Sequence, residues 1–291
     1  MIFETHNVLI GLGGQRCGSS WLHEVLSRHP DVVPASGGKE VHFFDKNWDR
    51  GADWYRNLWP RVIDEGRFIW ESTPSYLYGD DTPDRIAATV PTPKFVVLLR
   101  DPVTRSRSHF QRYQVNSGQT LLFADAVAQR GTILKYSTYS GFLSAFFDRF
   151  GRENMFVGFY EDIARRPNEL LHDIHSFAGM EAVALSAEQA RRRVNARQNP
   201  RSGAGYSAVF KARNWLRDHG FENLVTVARK AGAIRLLTSP KASAKINQKL
   251  EGQDLDRLLA LREDQVVALG ALGIDASHWN IPLQQEIGVA S

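Results

Sequence analysis

One cysteine, Cys17, is all that 291 residues contain, so an intrachain disulfide is excluded. No apolar run approaches the ~18–20 residues that a membrane-spanning helix needs. Residues Met1 to Asn7 lack a basic stretch followed by an apolar one, which argues against a secretory leader. The expectation is a cytoplasmic enzyme with no anchor and no membrane partner. Charge of one sign is not in excess either: 36 Lys and Arg stand against 32 Asp and Glu, a net +4. That balance suits an anionic ligand but not the concentrated basic surface of a nucleic-acid binder, so no nucleic-acid partner is expected. Repeats, low-complexity stretches and convincing linkers are missing as well. With 43% hydrophobic residues the chain can bury a substantial core. One domain over 1–291 is expected, with an α/β core at 1–180 and a mainly helical part at 181–291. Oligomeric state is not legible.

What is present alternates between short apolar runs and helical patterns. Val8-Leu9-Ile10-Gly11-Leu12 reads as a buried strand, and Trp21, Leu22, Val25 and Leu26 then recur at helical spacing until His29-Pro30. Phe68-Ile69-Trp70 and Met155 to Phe159 are further strands. Phe95-Val96-Val97-Leu98-Leu99 is apolar on both faces, as a central parallel strand is. Arg100-Asp101-Pro102 ends it and opens a polar helix to about Gln114. The pattern predicts an α/β fold, P-loop-like and three-layered (α/β/α), with a central parallel sheet and a helical C-terminal part.

Between the first strand and its helix lies Gly13-Gly14-Gln15-Arg16-Cys17-Gly18-Ser19-Ser20. Backbone N–H groups at a helix start, with the helix dipole behind them, favour an anion there. Glycines let the backbone approach it closely. The nucleoside-triphosphate pattern G-x-x-x-x-G-K-[ST] is met at Gly13, Gly18 and Ser20, but Ser19 stands in place of the lysine. The nearest cation in the loop is Arg16, three residues earlier, which suits a shorter anion than a triphosphate. A strand-to-helix turn that merely needs glycine is the plainer reading.

Gln15-Arg16-Cys17-Gly18-Ser19-Ser20-Trp21-Leu22 resembles the 5′-phosphosulfate loop of the sulfotransferase family. Arg100-Asp101-Pro102-Val103-Thr104-Arg105-Ser106-Arg107-Ser108-His109-Phe110 resembles its 3′-phosphate motif. Lys39-Glu40-Val41-His42-Phe43-Phe44-Asp45 is similar to a block of the branch that includes heparan-sulfate and many bacterial sulfotransferases. Thr73-Pro74-Ser75-Tyr76, Tyr160-Glu161-Asp162 and Leu272-Gly273…Trp279 extend the likeness. The resemblance implies 3′-phosphoadenosine-5′-phosphosulfate as sulfuryl donor, no metal, and a carbohydrate or small-molecule acceptor. It implies donor contacts from Gln15, Arg16, Cys17, Gly18, Ser19, Ser20, Trp21, Arg100 and Ser108. Arg197, Arg201 and Gly205, in a basic loop of the second half, are added because the family closes its donor site with such a loop. Where that branch often carries a lysine before Thr-Pro, this chain has Ser72, one cation fewer on the acceptor side.

For chemistry, Arg16 is the expected stabiliser of the leaving phosphate oxygen; an arginine scarcely donates a proton, so its role is electrostatic. The resemblance points to Glu40 as the general base, with His42 beside it. If residues 40–44 are extended, both project to one side. The plainer alternatives are a solvated Lys39–Glu40 pair and a packed His42. Arg105 could contact phosphate or form a helix-surface salt bridge. Cys17, at a helix N-terminus near an arginine, could have a lowered pKa. Trp48, Trp54, Tyr55 and Trp59 fit the buried face of a helix better than an acceptor surface. The competing functions are a P-loop-type kinase and a non-catalytic nucleotide-binding protein.

Overall fold

A computed structural model describes residues 2–185, 250 and 252–280. Five strands form one sheet: β1 (Asn7–Gly11), β2 (Val32–Pro34), β3 (Phe68–Ser72), β4 (Pro93–Leu99) and β5 (Met155–Phe159). The order is β2-β3-β1-β4-β5, and every pairing is parallel. β2 was not expected. It is three residues long and ends in a proline, which an edge strand tolerates and which leaves too little sequence to show a period.

Alternation along the strands sends side chains into separate cores on the two faces. Ile10, Ile69, Phe95, Val97 and Leu99 enter one; Leu9, Phe68, Trp70, Val96 and Leu98 enter the other. Helices Ser19–Leu26 and Pro167–Ala178 cover the second core, contributing Trp21, Leu22, Leu26, Leu170 and Ile174. Helices Thr82–Thr89 and Tyr139–Phe150 cover the first, through Ile86, Leu143 and Phe146. Continuous apolar strands with helices on both sides are what a buried parallel sheet requires. Tyr55 and Trp59 are buried in the first core and Trp48 and Trp54 pack against it, so this aromatic group is structural.

The Pro102–Ser117 helix begins with Asp101 as its cap, whose carboxylate accepts a 2.8 Å bond from the Thr104 amide, and with proline at the first turn. Its Val103 and Phe110 meet Leu258 of the Gln253–Ala271 helix in a third cluster. That helix and the turn Ser277–Asn280 are the described portion of the expected helical C-terminal part.

Topology locates the site. After β1 the chain builds β2 and β3 on one side, then crosses to β4 and β5 on the other. The strand order therefore reverses between β1 and β4, and ligands of such sheets bind beyond the carboxyl ends at that crevice.

Candidate active site

Both anion-binding corners expected from the sequence leave the sheet at this crevice. Past β1 the loop stays fastened to β4: the Leu12 amide donates to the Val96 carbonyl and the Gly14 amide to that of Leu98, each at 3.1 Å. A Cβ on Gly14 would lie 2.8 Å from the Leu98 oxygen, so only glycine lets the loop lie this low. Gly18, with φ of 86°, turns the chain into the Ser19–Leu26 helix. The Gln15 amide donates to the Tyr78 hydroxyl at 3.1 Å. In turn that hydroxyl donates to the Tyr136 carbonyl, also at 3.1 Å, while the two rings stack 3.8 Å apart.

The β4 corner comes across to meet it. Arg16 Nε donates to Ser108 Oγ at 3.1 Å, over 92 residues of sequence. Arg100 Nη1 donates to the Arg16 carbonyl at 3.2 Å, and its Nε to Thr104 Oγ1 at 3.0 Å. The Arg100 guanidinium lies 4.2 Å from the Tyr160 ring centroid. Burial, and then the charges of Arg112 and Arg100, push the Arg16 pKa down from its ordinary value. Such crowding of like charge over a glycine loop is relieved by a bound anion, and more fully by one with charge at two ends.

A third segment closes the site from the β3 side. The Glu40 amide donates to the Ser72 carbonyl at 2.9 Å, which ties the Lys39–Phe44 turn to the strand end next to β1. This turn is not extended, contrary to the sequence expectation. Glu40 has φ of 68° and His42 of 57°, and residues Phe43–Lys46 then form a short helix. Side-chain and ring hydroxyls hold the strained backbone: Thr73 Oγ1 accepts from the His42 amide at 3.3 Å, and Tyr76 accepts from the Phe43 amide at 2.7 Å. Among the described residues, Arg16, Glu40 and His42 are the non-glycine residues with positive φ. They are also the three expected to do the chemistry, and strain of this kind collects at functional sites because the surroundings over-determine it.

Glu40 keeps 42% of its side chain exposed and pairs with Lys39 at 3.3 Å. Lys39 does not lie in solvent, as a plain charge pair would. It is 19% exposed, and its Nζ donates to Ser19 Oγ and Ser20 Oγ, both at 3.1 Å. His42 presents Nδ1 to both Asp45 oxygens at 3.1 Å, and Ser75 donates to Asp45 Oδ2 at 2.5 Å. Burial raises the Asp45 pKa, but hydrogen bonds from His42 and Ser75 and the charges of His42 and Lys46 outweigh it, so the net shift is downward. An ionised Asp45 fixes which imidazole nitrogen carries the proton and leaves Nε2, 3.5 Å from Lys46 Nζ, as the outward one.

Beneath the turn, Glu71 is fully buried and accepts from Tyr55 at 2.7 Å and Thr73 at 3.1 Å. Burial raises its carboxyl to about 7 against the pull of those hydrogen bonds. Asp45, Ser75 and Glu71 were not singled out from the sequence, and Lys39 was weighed only as half of a solvated pair with Glu40.

Three expectations change. Cys17 is buried, its thiol 3.6 Å from the Gln15 carbonyl, and burial pushes its pKa up to about 11 rather than down. Trp21 turns its ring into the core, which leaves its backbone amide as the group it could offer a donor. Arg105 is neither a phosphate ligand nor a surface ion. It is fully buried, donating to Ser137 Oγ at 2.5 Å, to the Ile133 carbonyl, and at 3.3 Å to His109. His109 is correspondingly driven down to about 3 by burial and by the charges of Arg105, Arg130 and Arg16, and stays neutral. Arg197, Arg201 and Gly205 lie outside the described residues.

A parallel sheet with a glycine loop at its switch point, and Arg100 facing that loop from the end of the next strand, defines a P-loop-like α/β protein. Residues 6–200 match the sulfotransferase domain model, and the chain belongs to that family. It is 38% identical over 122 residues to human heparan sulfate glucosamine 3-O-sulfotransferase 3B1, covering 40% of this chain and 30% of that protein. With mouse heparan sulfate glucosamine 3-O-sulfotransferase 3A1 it shares 31% identity over 181 residues, 59% of this chain and 45% of the relative. The matched stretch is thus less than half the length of these relatives. A solved sulfotransferase from Alicyclobacillus acidocaldarius has the same fold, with a TM-score of 0.63 at 22% identity, covering 95% of this chain and 99% of that one.

Proposed function

We propose that the protein transfers a sulfuryl group from 3′-phosphoadenosine-5′-phosphosulfate to a hydroxyl, or an amine, of a carbohydrate or small-molecule acceptor. The observation that carries this reading is the meeting of the two corners, Arg16 Nε on Ser108 Oγ at 3.1 Å. It joins the loop corner and the β4 corner into one site at the strand ends, as a nucleotide charged at both its 3′ and 5′ positions requires. When bound, the donor supplies an activated sulfuryl group.

The chain's own groups do the rest. Amides of the glycine loop and the hydroxyls of Ser19 and Ser20 hold the 5′ end. Arg100 and Ser108 hold the 3′-phosphate. Glu40 takes the acceptor's proton as the acceptor oxygen bonds to sulfur. The bond from sulfur to the 5′-phosphate oxygen breaks, its electron pair staying on that oxygen, and Arg16 stabilises the charge. His42, oriented by Asp45, directs the acceptor. Arginine does the work a metal would do elsewhere, so none is required.

Family membership disfavours the kinase alternative. Carbohydrate is the first acceptor class, from the relatives. Ser72, where the resemblance leads one to look for a lysine, argues against a heparan-like acceptor. The test is transfer of labelled sulfate from the donor to a panel of desulfated heparan oligosaccharides, simple sugars, phenols and hydroxylated lipids, with and without chelator. Transfer that survives the chelator supports the reading. Stabilisation by ATP·Mg²⁺ in preference to adenosine 3′,5′-bisphosphate would overturn it.

A further inference from the structure

Between the loop and the base sits a cation that the proposed reaction has not used. Lys39 comes from the turn after β2, far from the loop in sequence, yet its ammonium lies 3.1 Å from the hydroxyls of both Ser19 and Ser20. Ser19 occupies the position at which a nucleoside-triphosphate loop has its lysine. A side chain from elsewhere therefore delivers an ammonium to the start of the same helix. It also donates to Glu40 Oε1 at 3.3 Å, so one cation touches both the anion loop and the candidate base.

The contacts of the site run from one end to the other: Arg100 and Ser108 hold Arg16, Ser19 and Ser20 follow in the same loop, and Lys39 bridges those serines to Glu40. In-line transfer requires the sulfuryl group to stand between the loop that holds the leaving phosphate and the base that faces the acceptor. Lys39 spans that interval. We propose that Lys39 is a further catalytic residue, whose ammonium contacts the sulfuryl oxygens of the donor. This rests on the sulfuryl-transfer reading above.

Burial lowers the Lys39 pKa, Glu40 opposes it and Arg16 adds to the lowering, so the net shift is downward. Unlike Arg16, Lys39 can also give a proton to an oxygen that gains charge.

The test is calorimetric titration of wild type, Lys39→Met and Lys39→Arg with the intact donor and with adenosine 3′,5′-bisphosphate, alongside thermal midpoints. In Lys39→Met the donor is expected to bind at least tenfold more weakly while the bisphosphate, lacking the sulfuryl group, changes less than threefold. Lys39→Arg is expected to recover part of the donor affinity. Equal weakening of both ligands in Lys39→Met, or unchanged donor affinity, overturns the proposal, because a lysine that only props the loop acts on both alike. If Lys39→Met does not fold, unchanged donor preference in Lys39→Arg and Lys39→Gln overturns it equally. A wild-type protein that binds neither ligand would instead sink the sulfotransferase reading on which it stands.

Discussion

Replacing Glu71 by glutamine should stabilise this protein at alkaline pH and do nothing at acid pH. The carboxyl is fully buried beneath the Glu40–Phe44 turn, and burial raises it from 4.5 to about 7, with hydrogen bonds from Tyr55, Thr73 and Tyr76 opposing and the Asp45 charge assisting. In the unfolded chain the group ionises at its ordinary value. Between those two points the native state holds more protons than the unfolded state, so stability falls as pH rises from about 4.5 to 7 and stays low above. At ~1.4 kcal/mol per pH unit the loss is about 3 kcal/mol. Glutamine imitates the protonated acid: one oxygen accepts from Tyr55, and the amide can donate to Thr73. Glu71→Gln should therefore match wild type at pH 5 and exceed it at pH 8 by about 3 kcal/mol. That is a midpoint rise of roughly 5–10 °C for a chain of this size. Paired thermal melts from pH 5 to 8 are the assay. A difference that does not change with pH, or a variant less stable at pH 8, would refute the reasoning.

Glu40→Gln is expected to lower turnover by about 10²-fold or more, the usual contribution of a positioned base, with bisphosphate affinity within threefold of wild type. Steady-state rates beside calorimetry decide it, and near-normal turnover removes Glu40 as the base. Cys17 should resist iodoacetamide at pH 8 in the native state, since its thiol is buried with a pKa of about 11, and react only on unfolding. Rapid native labelling would contradict the burial. Gly18→Ala should weaken anion binding and cost about 1 kcal/mol or more, because φ of 86° strains any side chain and the new methyl would meet Ile163. Melts with and without bisphosphate measure both effects.

The sheet's centre was legible because its strands are apolar on both faces. Phe95 to Leu99 are all completely buried, the continuous short apolar run of a strand covered on both faces. The two corners proposed to bind anions were conspicuous for a related reason, since each is a short local pattern at the end of such a strand. What failed to show depends on contacts distant in sequence. β2 owes its strand geometry to pairing with β3, not to its three residues. The Glu40 turn was expected to be extended, and its left-handed backbone is imposed by Thr73 and Tyr76 from another segment. Arg105 looks like any helix-surface arginine until Ser137 and the Ile133 carbonyl fold over it. For Cys17 the local rule for a thiol at a helix start pointed one way, and burial won. Lys39 reads as half of a solvated ion pair because nothing nearby in sequence reveals Ser19 and Ser20 as its partners.

Titration with adenosine 3′,5′-bisphosphate against adenosine 5′-monophosphate, in wild type and in Arg100→Ala, reaches the centre of the account. A second anion corner built on Arg100 and Ser108 should favour the bisphosphate at least a hundredfold, about 2.8 kcal/mol at ~1.4 kcal/mol per decade. Most of that preference should vanish in Arg100→Ala while monophosphate affinity holds. Equal affinity of the wild-type protein for the two nucleotides would contradict it.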